Sequence, residues 1–158
     1  MKKLYLPKEN PDRYWEFWDN DDWTITVHWG KLGTQGEDEI IYGGILKSAK
    51  SKVKKVEAEY ASKGYKSISI DDHHVLLVEY PIDGFGTEED LTKRYALQDK
   101  LDEVLGWTGL GHCDGGSIGS GTMEVCCFVV DFEIAKKIIV KELRETEFSN
   151  FTRIHREN

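Results

Sequence analysis

The chain has 158 residues, 39% of them hydrophobic and 32% charged, with five tryptophans and 21 Lys/Arg against 29 Asp/Glu. This excludes a disordered chain, because the apolar and aromatic content supports a core, and the length allows one ordinary domain or two small ones. Residues 1–66 carry twelve Lys/Arg and eleven Asp/Glu, whereas residues 67–158 carry nine and eighteen, so a phosphate backbone is repelled by the second half and any nucleic-acid contact belongs to the first.

No stretch approaches the roughly 20 apolar residues that span a bilayer, and Pro7, Lys8 and Glu9 stand where a signal peptide needs its apolar segment. The cysteines are Cys113, Cys126 and Cys127, an odd number with an adjacent pair, which suits reduced thiols better than a disulfide framework. A cytoplasmic protein without a membrane partner is expected.

In chain order, YWEFW (14–18) and WTITVHW (23–29) are aromatic and β-branched, and DNDD (19–22) between them supplies turn chemistry, so the two predict a hairpin. EDEIIYG (37–43) predicts a third strand. Ala49, Val53, Val56 and Tyr60 then recur at steps of four, three and four, one face of a helix closed by Gly64. YKSISI (65–70) reads as a returning strand. The polar SIDDHH segment (69–74) marks a boundary, giving one module over 1–70 and a second over 74–158.

HVLLVEYP (74–81) predicts a strand. Thr87 is a suitable N-cap for a helix that begins with Glu88, Glu89 and Asp90, buries Leu91, Leu97, Leu101, Val104 and Leu105, and ends at Gly106. GLGHCD (109–114) reads as a short strand, GGSIGSG (115–121) as a loop and MEVCCFVVD (123–131) as a long apolar strand. Asp131 caps a helix with Ala135, Ile138, Ile139 and Leu143 on one face, and FTRIHR (151–156) is a last strand. The β-α-β-β-α-β order predicts a ferredoxin-like module in an α+β protein. Its first and third strands belong in the centre of the sheet, which agrees with the apolar density of VLLV and VCCFVV. Both faces of VCCFVV are apolar, so a second cover, the first module or a second copy in a homodimer, is expected.

The aromatic hairpin, the run WTITVHWGKLGTQGE and the lysine-rich helix, in that order, resemble the WGR domain over about residues 3–68. Trp29, Gly30 and Lys31 stand at its Trp-Gly-Arg signature. WGR domains occur in some poly(ADP-ribose) polymerases and in bacterial regulatory or DNA-associated proteins. In the polymerases the module contacts a DNA end. The resemblance therefore implies an antiparallel sheet with one helix, Trp29 as a platform for a terminal sugar and Lys31 at the backbone. Lysine keeps the charge of the signature arginine but loses its planar fork.

From the residues themselves, Gly30 and Gly33 permit a sharp turn beside the Trp29 ring, and Lys47, Lys50 and Lys54 form a helix stripe that joins Lys31 in a basic patch for DNA ends. The competing reading makes Trp29 a core closure and the lysines a solvated face.

Gly115, Gly116, Ser117, Gly119, Ser120 and Gly121 suggest a hairpin loop or, secondarily, a small-anion grip in a sensor protein. A phosphate loop would open a helix, and here a strand follows. His112, Cys113, Cys126 and Cys127 approach across that hairpin, but Cys126 and Cys127 point to opposite faces, so no metal site is expected. No catalytic triad or paired-carboxylate spacing appears, so neither an enzyme nor a cofactor is expected. The resulting expectation is a non-enzymatic bacterial binding protein. Its partner is either a DNA end or nick at the first module, or a basic protein neutralised by the acidic second module.

Overall fold

The computed structural model describes residues 1–7, 12–44 and 48–157. The chain divides into two compact units, Met1–Ile68 and Ser69–Asn158, each with its own four-stranded antiparallel sheet. Together they make an α+β protein.

In the first unit the strands follow one another as a meander: β1 (Lys2–Leu6), β2 (Arg13–Asp19), β3 (Ile25–Lys31) and β4 (Glu37–Ile41). At the β2–β3 turn Asp22 Oδ1 accepts the Thr24 amide at 3.1 Å and the Thr24 hydroxyl at 2.6 Å. Helix α1 (Ala49–Ser62) begins at Ser48, whose Oγ accepts the Ser51 amide, and gives way to Gly64 at φ +96°. Its apolar stripe meets one sheet face. Leu4, Trp15, Ile25, Val27, Ala49 and Val53 are buried together, with Trp29, Val56, Tyr60 and Tyr65 packed around them.

Two features of this unit differ from the sequence expectation. The short charged segment KKLYL is a strand. In contrast, residues 65–70 form no strand: only Lys66 bridges to Tyr5, and a 3-10 turn follows over Ile70–Asp72. Gly64 in its left-handed conformation and the donor-less Pro7 stop the ladder on one side, while the 3-10 turn draws the chain away on the other.

In the second unit the strand order is β6 (Gly111–Gly119), β7 (Thr122–Val129), β5 (His74–Pro81), β8 (Arg153–Arg156). The first and third strands in sequence are thus central, as the β-α-β-β-α-β order requires. Helix α2 (Glu88–Trp107) joins β5 to β6, packs on β6 and β7 and touches α3 (Phe132–Leu143), which joins β7 to β8. Both N-caps are as expected. Thr87 and Asp90 form a reciprocal capping box, and Asp131 Oδ1 accepts the Ile134 amide at 2.9 Å.

The helix-facing side of the sheet is closed by Leu76, Val78 and Tyr80 of β5 and Met123, Val125, Cys127 and Val129 of β7, all buried. The other side, with Val75, Leu77, Cys126 and Phe128, is half-buried. Leu91 is an exception to the expected α2 core. It is exposed, and Arg94 takes the buried position one turn on.

The Gly-rich stretch is strand rather than loop. Gly115, Gly116, Ser117 and Gly119 lie in β6, which carries a bulge between Cys113 and Gly116 against β7. A Cβ on Gly116 would sit 2.0 Å from the Glu124 carbonyl oxygen, so glycine here lets the two strands approach. Only Ser120 and Gly121 form the turn, both at positive φ as a two-residue hairpin demands. The Gly121 amide donates to the Gly84 carbonyl and its carbonyl accepts the Ile82 amide. The turn is therefore pinned, with the Gly121 amide already taken.

Candidate nucleic-acid interface

Trp29, Gly30 and Lys31 end β3. Alternation places Trp29 and Lys31 on the α1 side of the sheet and His28 and Gly30 on the other. Trp29 is half-buried, opposite Trp15 on β2 and Glu37 on β4, and packs against the core. The indole is therefore in part architecture, with one portion left accessible.

The loop after Lys31 explains the glycines. A 3.0 Å bond from the Thr34 amide to the Lys31 carbonyl closes a turn with Gly33 at φ +83°. The chain then folds back until Gly36, at φ +68°, lies against Gly30. A Cβ on Gly30 would meet Gly36 Cα at 2.8 Å and Tyr14 Oη at 3.1 Å. Gly30 thus serves close approach, Gly33 serves the turn, and Gly36 completes the fit.

Beneath this loop lies a buried polar row. His28 Nδ1 is 2.7 Å from Glu16 Oε1, and His28 Nε2 is 2.6 Å from the Gln35 carbonyl. Both partners are acceptors, so both ring nitrogens donate and His28 is an imidazolium. Tyr14 donates to the Thr34 carbonyl at 3.1 Å and sits 2.9 Å from His28 Nε2. Lys3 Nζ lies 2.9 Å from Glu16 Oε2 and completes the charge balance. Burial opposes the His28 charge, but the bonds to Glu16 and Gln35 outweigh it, and its pKa is raised.

Lys31 is exposed, and directly opposite it on β2 stands Arg13, also exposed, which alternation puts on the same side of the sheet as Trp29. Reading from the signature alone passed over Arg13, since it precedes the aromatic run YWEFW. The register reveals it. Arg13 brings to this end of the sheet the planar fork that Lys31 lacks. Lys63, at the end of α1, has its ammonium 4.9 Å from the centre of the Tyr60 ring.

Of the helix stripe, Lys50 does not join this group. Lys50 pairs with Asp19 at 3.6 Å, and Asp19 is at the opposite end of β2 from Arg13, about 20 Å away at ~3.4 Å per residue. Lys54 is exposed one turn further along α1, and Lys47 lies outside the described residues. In the second unit Cys113 and Cys127 face each other across β6 and β7, while Cys126 lies on the other face. The bond to Cys113 and burial push the Cys127 thiol well up, away from the thiolate form.

A four-stranded antiparallel meander crossed by one helix, with a half-open tryptophan and two cations at a sheet end, makes the first unit a small α+β module. Residues 4–71 match the family model of the WGR domain, and this part of the chain is a WGR domain. No curated protein and no solved structure matches the chain. No helix among the described residues is long and apolar enough to cross a membrane.

Proposed function

We propose that the protein is a non-enzymatic binding protein of bacterial type whose WGR domain contacts nucleic acid, at an end or nick, through Trp29, Lys31 and Arg13. The observation that carries this reading is the Arg13–Lys31 pairing beside Trp29: two cations in register, next to an indole with an accessible portion. Phosphate contacts supply affinity, and a flat ring suits a terminal sugar or unstacked base. Acidic Glu37, Asp38 and Glu39 on β4 limit the patch, so binding is weak and salt-sensitive.

The test is fluorescence anisotropy with blunt, nicked and single-stranded DNA at low salt. End- or nick-preferring binding that weakens in Arg13→Gln and Lys31→Gln supports the reading, and flat curves remove it. Trp29→Ala is a less direct probe, because it also removes core packing.

A second reading rests on charge. The second unit carries nine Lys/Arg against eighteen Asp/Glu, which suits an immunity-type protein that neutralises a basic partner. A pull-down at low salt that yields no basic protein counts against it.

A further inference from the structure

Away from the helices, the half-buried face of the second sheet brings together Glu79, Glu124 and His155 from three adjacent strands. Glu79 and Glu124 are direct cross-strand partners on β5 and β7, while His155 on β8 pairs with Leu77, two residues along β5 on the same face. One ligand atom from each of the three lies within 4.8 Å of the others.

Two like charges directly opposite in a sheet repel, and here one of them, Glu79, is buried. Arg153 offsets part of this repulsion by donating to Glu79 Oε2 from Nε at 3.1 Å and Nη2 at 2.8 Å. Ser117 Oγ donates to Glu124 Oε2 at 3.1 Å. These three bonds hold the two carboxylates by Oε2 and leave each Oε1 outside them, the way outer residues orient metal-binding carboxylates. His155 Nδ1 is buried and has no hydrogen-bond partner among the described residues, a condition folded proteins avoid unless another group uses the lone pair.

We propose that Glu79, Glu124 and His155 bind a divalent transition-metal ion, zinc in the first instance. Two carboxylates and a neutral imidazole are the borderline-to-hard donors such ions take, and three protein ligands leave a position open to water or a further ligand. With Arg153 present the ligand set carries net charge −1, so a dication is attracted. Zinc bonds of about 2.0–2.2 Å require the three ligand atoms to close in slightly, which side-chain rotation on neighbouring strands allows.

The spacing in sequence could not show this site. Its members are 45 and 31 positions apart, and only the strand order joins them.

The experiment is calorimetric titration of the chelator-treated full chain with zinc chloride. The expected result is one ion per chain, weakened about tenfold or more in Glu124→Gln and in His155→Asn, and unchanged in His112→Asn, whose ring stacks on Phe128 further along β7, away from the cluster. Glu124→Gln keeps shape and the Ser117 bond. If His155→Asn does not fold, the 15N resonance of His155 Nδ1 in the native chain replaces it as readout and shifts on zinc addition. No binding at millimolar zinc, or equal affinity in native protein and Glu124→Gln, overturns the proposal.

Discussion

His28 and Glu16 stand directly opposite on β3 and β2, with Nδ1 of one 2.7 Å from Oε1 of the other, both almost fully buried. The imidazolium is thus clamped between a carboxylate and the Gln35 carbonyl of the loop that follows the tryptophan signature. Its pKa is raised in the fold. The native state therefore holds a proton that the unfolded chain releases above about 6.5, the ordinary histidine value. The clamp contributes fully below that value and is lost as pH rises through the higher folded one. The melting temperature of the first unit should fall as pH rises through this window. His28→Gln should flatten the fall and cost about 1–3 kcal/mol at pH 6, read by thermal melts across pH.

Gly30 and Gly36 differ in what they forbid. At Gly30 an added Cβ meets Gly36 Cα at 2.8 Å, and the loop must shift. At Gly36 it meets the Trp29 carbonyl and Tyr14 hydroxyl oxygens, on a backbone already at φ +68°. Gly30→Ala should cost about 1–3 kcal/mol and Gly36→Ala more, measured as lowered urea midpoints. Equal and negligible effects would mean that the loop does not pack on the sheet.

The second unit offers two changes of opposite sign. Thr87 caps α2 by accepting the Asp90 amide at 3.2 Å, and Thr87→Ala should cost about 1 kcal/mol. Gly106, inside the last turn of α2, has open space where a Cβ would go, so Gly106→Ala should stabilise by about 0.5–1 kcal/mol. Chemical denaturation of the two variants checks both signs at once.

The parts of this architecture written locally were legible. Thr87, Asp131 and Gly64 mark helix ends by capping chemistry, and the apolar density of VLLV and VCCFVV placed β5 and β7 in the sheet centre. What depends on partners was not. β1 is five residues with two lysines, and its alternation makes sense only when Lys3 meets Glu16. Gly115–Gly119 look like a loop because the reason for Gly116 is the carbonyl of a neighbouring strand. Arg13 acquires meaning only through its register with Lys31. Lys50 and Lys54 were rightly placed on a helix, but periodicity carries no information about which end of the sheet that helix face approaches.

That last distinction gives the most direct test of the interface. Each phosphate neutralised on duplex DNA contributes about −0.9 to the slope of log affinity against log salt. If Arg13 and Lys31 each hold one phosphate, the double variant Arg13→Gln/Lys31→Gln should reduce the slope by about 1.8. Lys50→Gln and Lys54→Gln, on the half of α1 that begins near Asp19, should leave it unchanged. The opposite pattern, with the slope moved by the helix lysines and not by the β2–β3 end, would transfer the contact surface to α1. Trp29 would then be left with its packing role alone. Anisotropy titrations at four salt concentrations decide between the two surfaces, because charge neutralisation registers in the slope even where the absolute affinity is low.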